Sequence, residues 1–258
     1  MERSGCRALH ARQRRGSAGW NRDDPGPGFL RDLSRLPDLD RGEYALTWED
    51  FRHGNFEIFF TRLDASGVPV GGEVRITNEP ADSYLSYLAW TGTGYGLVWV
   101  DERRGAAKVF FLSLDEQGSP IGDARNLTNS REYAGDLVLR STGSGFGLAW
   151  TEYDFDTGAT VLYVGALGSD GTMTLGPTTI AASDRGMTHT FAWTGFEFGL
   201  AWDVYETPRW RTRFARVSAA AEVLDGPLPV EDSLFSMDPS AAWTGDGFGI
   251  FSGDGGAK

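Results

Sequence analysis

Tyr44-Ala45-Leu46-Thr47-Trp48-Glu49-Asp50 decides the reading of this chain, because the same pattern keeps returning. It recurs as Tyr95-Gly96-Leu97-Val98-Trp99-Val100-Asp101, as Phe146-Gly147-Leu148-Ala149-Trp150-Thr151-Glu152 and as Phe198-Gly199-Leu200-Ala201-Trp202-Asp203. A frayed fifth copy is Phe248-Gly249-Ile250-Phe251-Ser252. Trp48, Trp99, Trp150 and Trp202 are spaced by 51, 51 and 52 residues, the mark of a tandem repeat.

Further elements flank each copy. Ahead of it stands Trp90-Thr91-Gly92, returning as Trp193-Thr194-Gly195 and Trp243-Thr244-Gly245, while Ser141-Thr142-Gly143 keeps the Gly and loses the Trp. Behind it runs Ile58-Phe59-Phe60-Thr61-Arg62-Leu63-Asp64 with Gly67, matched by Val109 to Asp115 with Gly118 and more loosely by Val161 to Leu167 with Gly171. Last comes Val74-Arg75-Ile76-Thr77-Asn78, paired with Arg125-Asn126-Leu127-Thr128-Asn129. Each element is rich in aromatic and β-branched residues and bounded by Gly, Asp, Asn or Pro, which predicts strands. Four such strands, A to D, per repeat make the blade of a β-propeller. The expected fold is all-β, with four antiparallel four-stranded blades plus a partial one, in an incomplete ring. The Trp residues, with Asp50 and Asp101, are expected to be structural repeat positions. The Gly after the leading aromatic of strand B is expected to make room for a Trp of a neighbouring strand or blade.

The pattern places a disordered basic, Pro- and Gly-rich arm over 1–37 and the propeller over 38–258. Its repeats run at about 38–83, 84–134, 135–186 and 187–236, with a partial one over 237–258. The first repeat then starts at strand B. Ala241–Trp243 is a candidate for its missing strand A, which would close a ring of four. The rival is a portion of a ring of five to seven blades, completed by further blades or by self-association.

Composition narrows the function. Residues 1–22 hold six Arg against one Glu, a charge of +5, so the remainder carries −17 of a total of −12. Such acidity argues against nucleic acid as the main partner. One Cys excludes an intrachain disulfide framework and a Cys-based zinc site. No apolar run approaches the about 18 residues of a transmembrane helix.

Leu97-Val98-Trp99-Val100-Asp101-Glu102-Arg103, Trp48-Glu49-Asp50-Phe51-Arg52 and Arg62-Leu63-Asp64-Ala65-Ser66-Gly67 resemble the tandem repeats of bacterial secreted and cell-surface β-propeller-like proteins, broadly TolB-like and WD40-like in architecture. The resemblance covers 38–252 and specifies the blade rather than an activity. It implies an extracellular or cell-surface location, although these residues show no signal peptide.

The most visible candidate chemistry is the carboxylate closing each strand B: Asp50, Asp101, Glu152 and, one position earlier, Asp203. Clustered carboxylates suit Ca²⁺ or acid–base work. A residue repeated in every blade has a simpler structural use, accepting turn N–H groups or pairing with Arg52 and Arg103. No other metal or cofactor is expected. In a propeller the B–C and D–A loops share one face, and the residues there that break the repeat are the candidate ligand contacts. They are Arg52, His53, Arg103, Arg104, Tyr133, Asp154, His189, Arg209 and Trp210, joined in the same loops by Asp232. Aromatic and Arg side chains suit a glycan or a peptide. A non-catalytic binding or scaffold module is therefore expected. The alternatives are a glycosidase- or sialidase-like propeller and a fragment of a larger repeat protein. Ser169-Asp170-Gly171-Thr172 is too mis-spaced to be a sialidase box.

Overall fold

The structure, a computed structural model, describes residues 29–35, 42–230 and 236–254. Most of the N-terminal arm and Asp232 lie outside them. Among the described residues, eighteen strands build five antiparallel sheets. The first holds β1 (Phe29–Arg35), β2 (Tyr44–Asp50), β3 (Glu57–Leu63) and β4 (Pro69–Arg75). The second holds β5 (Ser83–Trp90), β6 (Gly94–Asp101), β7 (Lys108–Asp115) and β8 (Pro120–Asn126). The third holds β9 (Tyr133–Ser141), β10 (Gly145–Tyr153), β11 (Thr160–Gly168) and β12 (Met173–Ser183). The fourth holds β13 (His189–Trp193), β14 (Glu197–Glu206), β15 (Arg209–Ser218) and β16 (Val223–Pro229). The fifth is the hairpin β17 (Ser236–Trp243) and β18 (Phe248–Asp254). Strands follow one another across each sheet, so each of the four four-stranded blades is a meander from A to D. Strands A of successive sheets lie side by side, and the sheets stack in chain order. The fold is propeller-like, and among the described residues the sheets do not close into a ring.

Three expectations change. Residues 29–35, which the repeat pattern leaves in the arm, form β1 and pair antiparallel with β2 as the first sheet's strand A. Ala241–Trp243 does not close the ring onto that sheet; it lies in β17 and pairs with β18. Strand D begins earlier than the Val-Arg-Ile-Thr-Asn pattern suggests, directly after the C–D turn. Ile76 and Leu127 then leave the ladder but still donate N–H to the carbonyls of Ile58 and Val109. Thr77 and Thr128 end it by accepting the Ile58 and Val109 N–H groups through their hydroxyls at 2.8 and 3.0 Å.

The sheets interlock by knobs and sockets. Every residue of β6 is buried, as are all of β10 but its last. A Cβ added at Gly96 would lie 2.4 Å from Phe146 of the next sheet. One at Gly147 would lie 2.3 Å from Phe198, and one at Gly199 2.3 Å from Phe248. The leading aromatics of β10, β14 and β18 thus enter the glycine sockets of the strand B before each of them. The neighbour that the glycine admits is this aromatic, not the expected Trp. The strand-B tryptophans instead stack on strand C of their own sheet: Trp48 on Phe59 at 5.7 Å, Trp99 on Phe110 at 5.8 Å and Trp150 on Tyr163 at 5.4 Å. Trp99, Trp150 and Trp202 are fully buried, each removing large apolar area from water.

Candidate functional site

The repeated carboxylates are anchors of the blade. Asp101 is buried and accepts the Trp99 indole N–H at 3.0 Å, the Ser83 hydroxyl at 3.0 Å and the Arg103 backbone N–H at 2.9 Å. The Arg103 guanidinium clamps both its oxygens at 2.7 and 2.6 Å. Burial pushes this carboxyl up, but Arg103 and Trp99 outweigh it and hold its pKa below the ordinary range. Asp50 is held the same way by the Arg52 side chain and backbone N–H. The longer Glu152 receives the Trp150 indole at 3.2 Å. Arg52 and Arg103 lie 4.7 and 4.6 Å over the Phe59 and Phe110 rings and also pair with Glu73 and Glu79. Both arginines are thus engaged within the blade.

The other predicted contacts divide into two groups. Asp154 caps its own loop, accepting the Asp156 N–H at 2.8 Å and the Thr157 hydroxyl at 2.7 Å. His53 stacks on Phe59, and Arg104 is exposed. Tyr133, by contrast, belongs to an aromatic cluster on the loop face. Its ring meets Phe155 edge-on at 4.6 Å, and Phe155 meets Tyr153 edge-on at 4.7 Å. Phe155, which the repeat pattern does not single out, is 67% exposed. In the next sheet Trp210 meets Tyr205 at 5.5 Å while Arg185 sits 4.1 Å over the same Tyr205 ring. Arg209 opens β15 opposite Glu206. The legible signal for Phe155 is an aromatic in a polar loop, Asp154-Phe155-Asp156, where no core needs it.

A polar cluster joins β9, the start of β13, β14 and β17 across the last three sheets. His189 is buried, with Nδ1 2.9 Å from an Asp136 carboxylate oxygen. Asp203 accepts the Thr188 backbone N–H at 2.5 Å and its hydroxyl at 2.9 Å, and the Asp238 backbone N–H at 3.5 Å. The Thr188 hydroxyl also lies 3.5 Å from the Asp238 carboxylate. Burial raises the Asp203 pKa, and the Thr188 bonds only partly offset it. Asp136 and Asp238 adopt positive φ, 45° and 53°, at bulges in their strands. Repeat reading passes over both, since a bulge leaves no periodic trace. The counterpart on the first two sheets is Glu49, buried and accepting the N–H of Leu85 (φ 54°) at 2.6 Å.

Among the described residues no group of three or more His, Cys, Asp or Glu side chains is arranged to hold a metal ion. Two clefts of about 400 and 420 Å³ open on the opposite face, one between the third and fourth sheets and one between the second and third. Their equivalent positions make them products of sheet stacking. No described helix is long and apolar enough to cross a membrane.

No protein-family model and no curated protein matches the sequence. Solved structures similar to it include acylaminoacyl peptidase of Pyrococcus horikoshii in an orthorhombic form, at TM-score 0.41 and 12% identity over 81% of this chain and 34% of that one. The uncomplexed form of that peptidase gives TM-score 0.40 and 12% identity over 89% and 38%. The catalytic domain of the Coprinopsis cinerea GH62 alpha-L-arabinofuranosidase gives 0.41 and 9% over 86% and 83%. The chain spans little more than a third of the peptidase. Likenesses this distant carry no information on activity.

Proposed function

We propose that this propeller-like chain is a non-catalytic binding module that takes a glycan or a peptide on its B–C and D–A loop face. The Tyr133–Phe155–Tyr153 cluster carries the reading. Three aromatic rings stand edge to face in loops and strand ends, and Phe155 exposes most of its surface although burying it would be favourable. Rigid aromatic faces bind sugar rings and peptide side chains at low entropic cost. Arg185, Tyr205 and Trp210 extend the same chemistry to the next sheet. Array screening followed by titration calorimetry tests this. A ligand should emerge, and Phe155→Ala should weaken it at least about tenfold while melting stays unchanged. Absence of any ligand, or a ligand indifferent to Phe155 and Tyr133, defeats the proposal.

A second reading rests on Asp203. A buried carboxyl with a raised pKa, sharing the Thr188 hydroxyl with the Asp238 carboxylate, has the make-up of an acid–base pair for glycoside hydrolysis. Turnover of a glycoside panel, abolished by Asp203→Asn and Asp238→Asn, would favour it over the binding module.

A further inference from the structure

Sheet stacking opens both clefts on the face opposite the loops, but the two differ in one wall. In the second, fourth and fifth sheets the Trp ending strand A packs on the leading aromatic of strand B. Trp90 lies 4.7 Å from Tyr95, Trp193 4.4 Å from Phe198 and Trp243 5.1 Å from Phe248. Each pair sits in cross-strand register. In the third sheet the register partner of Phe146 is Ser141, whose hydroxyl accepts the Gly143 N–H at 3.1 Å and brings no ring. The tryptophans lean toward the preceding sheet. Trp193 lines the cleft between the third and fourth sheets, with Phe198 behind it, and Trp243 meets Phe196 of the fourth sheet edge-on at 6.4 Å. In the cleft between the second and third sheets, of about 420 Å³, Phe146 itself is the wall in the place of the indole. Tyr95 and Leu114 line the same cleft, as does Ile121, 57% exposed. Arg125 and Asp170, 3.8 Å apart and both largely solvated, stand at its rim.

We propose that this cleft binds a small molecule through a planar aromatic ring of indole size, seated against Phe146 where the sister sheets place their own Trp. The occupant follows from the repeat: three equivalent seats already hold that ring against an aromatic partner. An apolar site that has lost a side chain takes up a free ring of matching shape, and edge-to-face or tilted contact with Phe146 adds to the apolar burial. The volume is that of a small-molecule site. The Arg125–Asp170 pair offers both signs of charge to a polar substituent on the ring.

Titration of the full chain with indole, followed by amide NMR, is the test. Wild type should bind saturably, with a Kd of about 1 mM or tighter, and shift the amides of Gly94, Tyr95, Gly145 and Phe146. Ser141→Trp restores the missing ring, so it should weaken indole at least about tenfold and raise the melting temperature by about 2–4 °C. If Ser141→Trp fails to fold, Ile121→Ala on the exposed wall takes its place and should weaken indole at least about threefold. Phe155→Ala, at the loop-face aromatic cluster, should leave indole binding unchanged. Wild type without saturable binding would overturn the proposal, as would a folded Ser141→Trp, or failing that Ile121→Ala, that binds indole undiminished. Indole lost in Phe155→Ala would assign the probe to the loop face and overturn it equally.

Discussion

Asp101 and Asp203 show how similar carboxylates are put to opposite thermodynamic use. The Asp101 pKa is lowered by Arg103 and Trp99 against burial, so its charge stabilises the folded state at neutral pH. That contribution is present above the unfolded pKa of about 4 and is lost as pH falls through the lower folded value. Asp203 is raised by burial, so the folded state binds its proton more tightly, and stability falls as pH rises from about 4 through the folded value. Thermal unfolding of Asp101→Asn should show a loss of about 2–4 kcal/mol at pH 7, shrinking at acid pH. Asp203→Asn should gain about 1 kcal/mol at pH 7, and that gain should vanish below about pH 4. Asp203→Asn destabilising at neutral pH would show that its hydrogen bonds outweigh its burial.

The C–D hairpin turn displays compensation between neighbouring sheets at the scale of the element. Gly118 and Gly171, with φ of 88° and 75°, lie against Phe60 and Phe111 of the preceding sheet, where a Cβ would come within 2.0 Å of the ring. In the fourth sheet the turn residue is Ala221, still at φ 58° and buried in one cluster with Val164. Val164 holds the strand-C place of Phe111, by its pairing with Ala149 as Phe111 pairs with Val98. The smaller Val makes space for the methyl group. Gly171→Ala should therefore cost about 3 kcal/mol or more in denaturant unfolding, from overpacking and left-handed backbone together. Phe111→Val should rescue part of it, giving a double-mutant coupling of about 1–2 kcal/mol. Strict additivity would refute the compensation.

At the scale of the whole molecule the sheets form a stack in which each touches its sequence neighbours, so stability is close to a sum over sheets and their interfaces. Among the described residues the fifth sheet has two strands and an exposed Phe251, and it should be the weakest unit. Native-state hydrogen exchange should find the amides of β17 and β18 least protected and those of β6, β10 and β14 most protected. Protection of β18 equal to β10 would contradict this.

By itself the sequence determined the blade. A Trp every 51 or 52 residues, with its flanking turns, specifies the strands, and the carboxylate-to-Arg spacing in Asp50–Arg52 and Asp101–Arg103 specifies the anchor. These are local or in-register relations, which periodicity records. Tertiary structure alone decided what lies between repeats: that β1 completes the first sheet, that β17 does not close the ring, and that Phe146 rather than a Trp fills the socket at Gly96. It alone gathered Asp136, His189, Thr188, Asp203 and Asp238, whose bulged strands break the period. Contacts between sheets depend on which faces meet and at what angle, a geometry that no single repeat encodes.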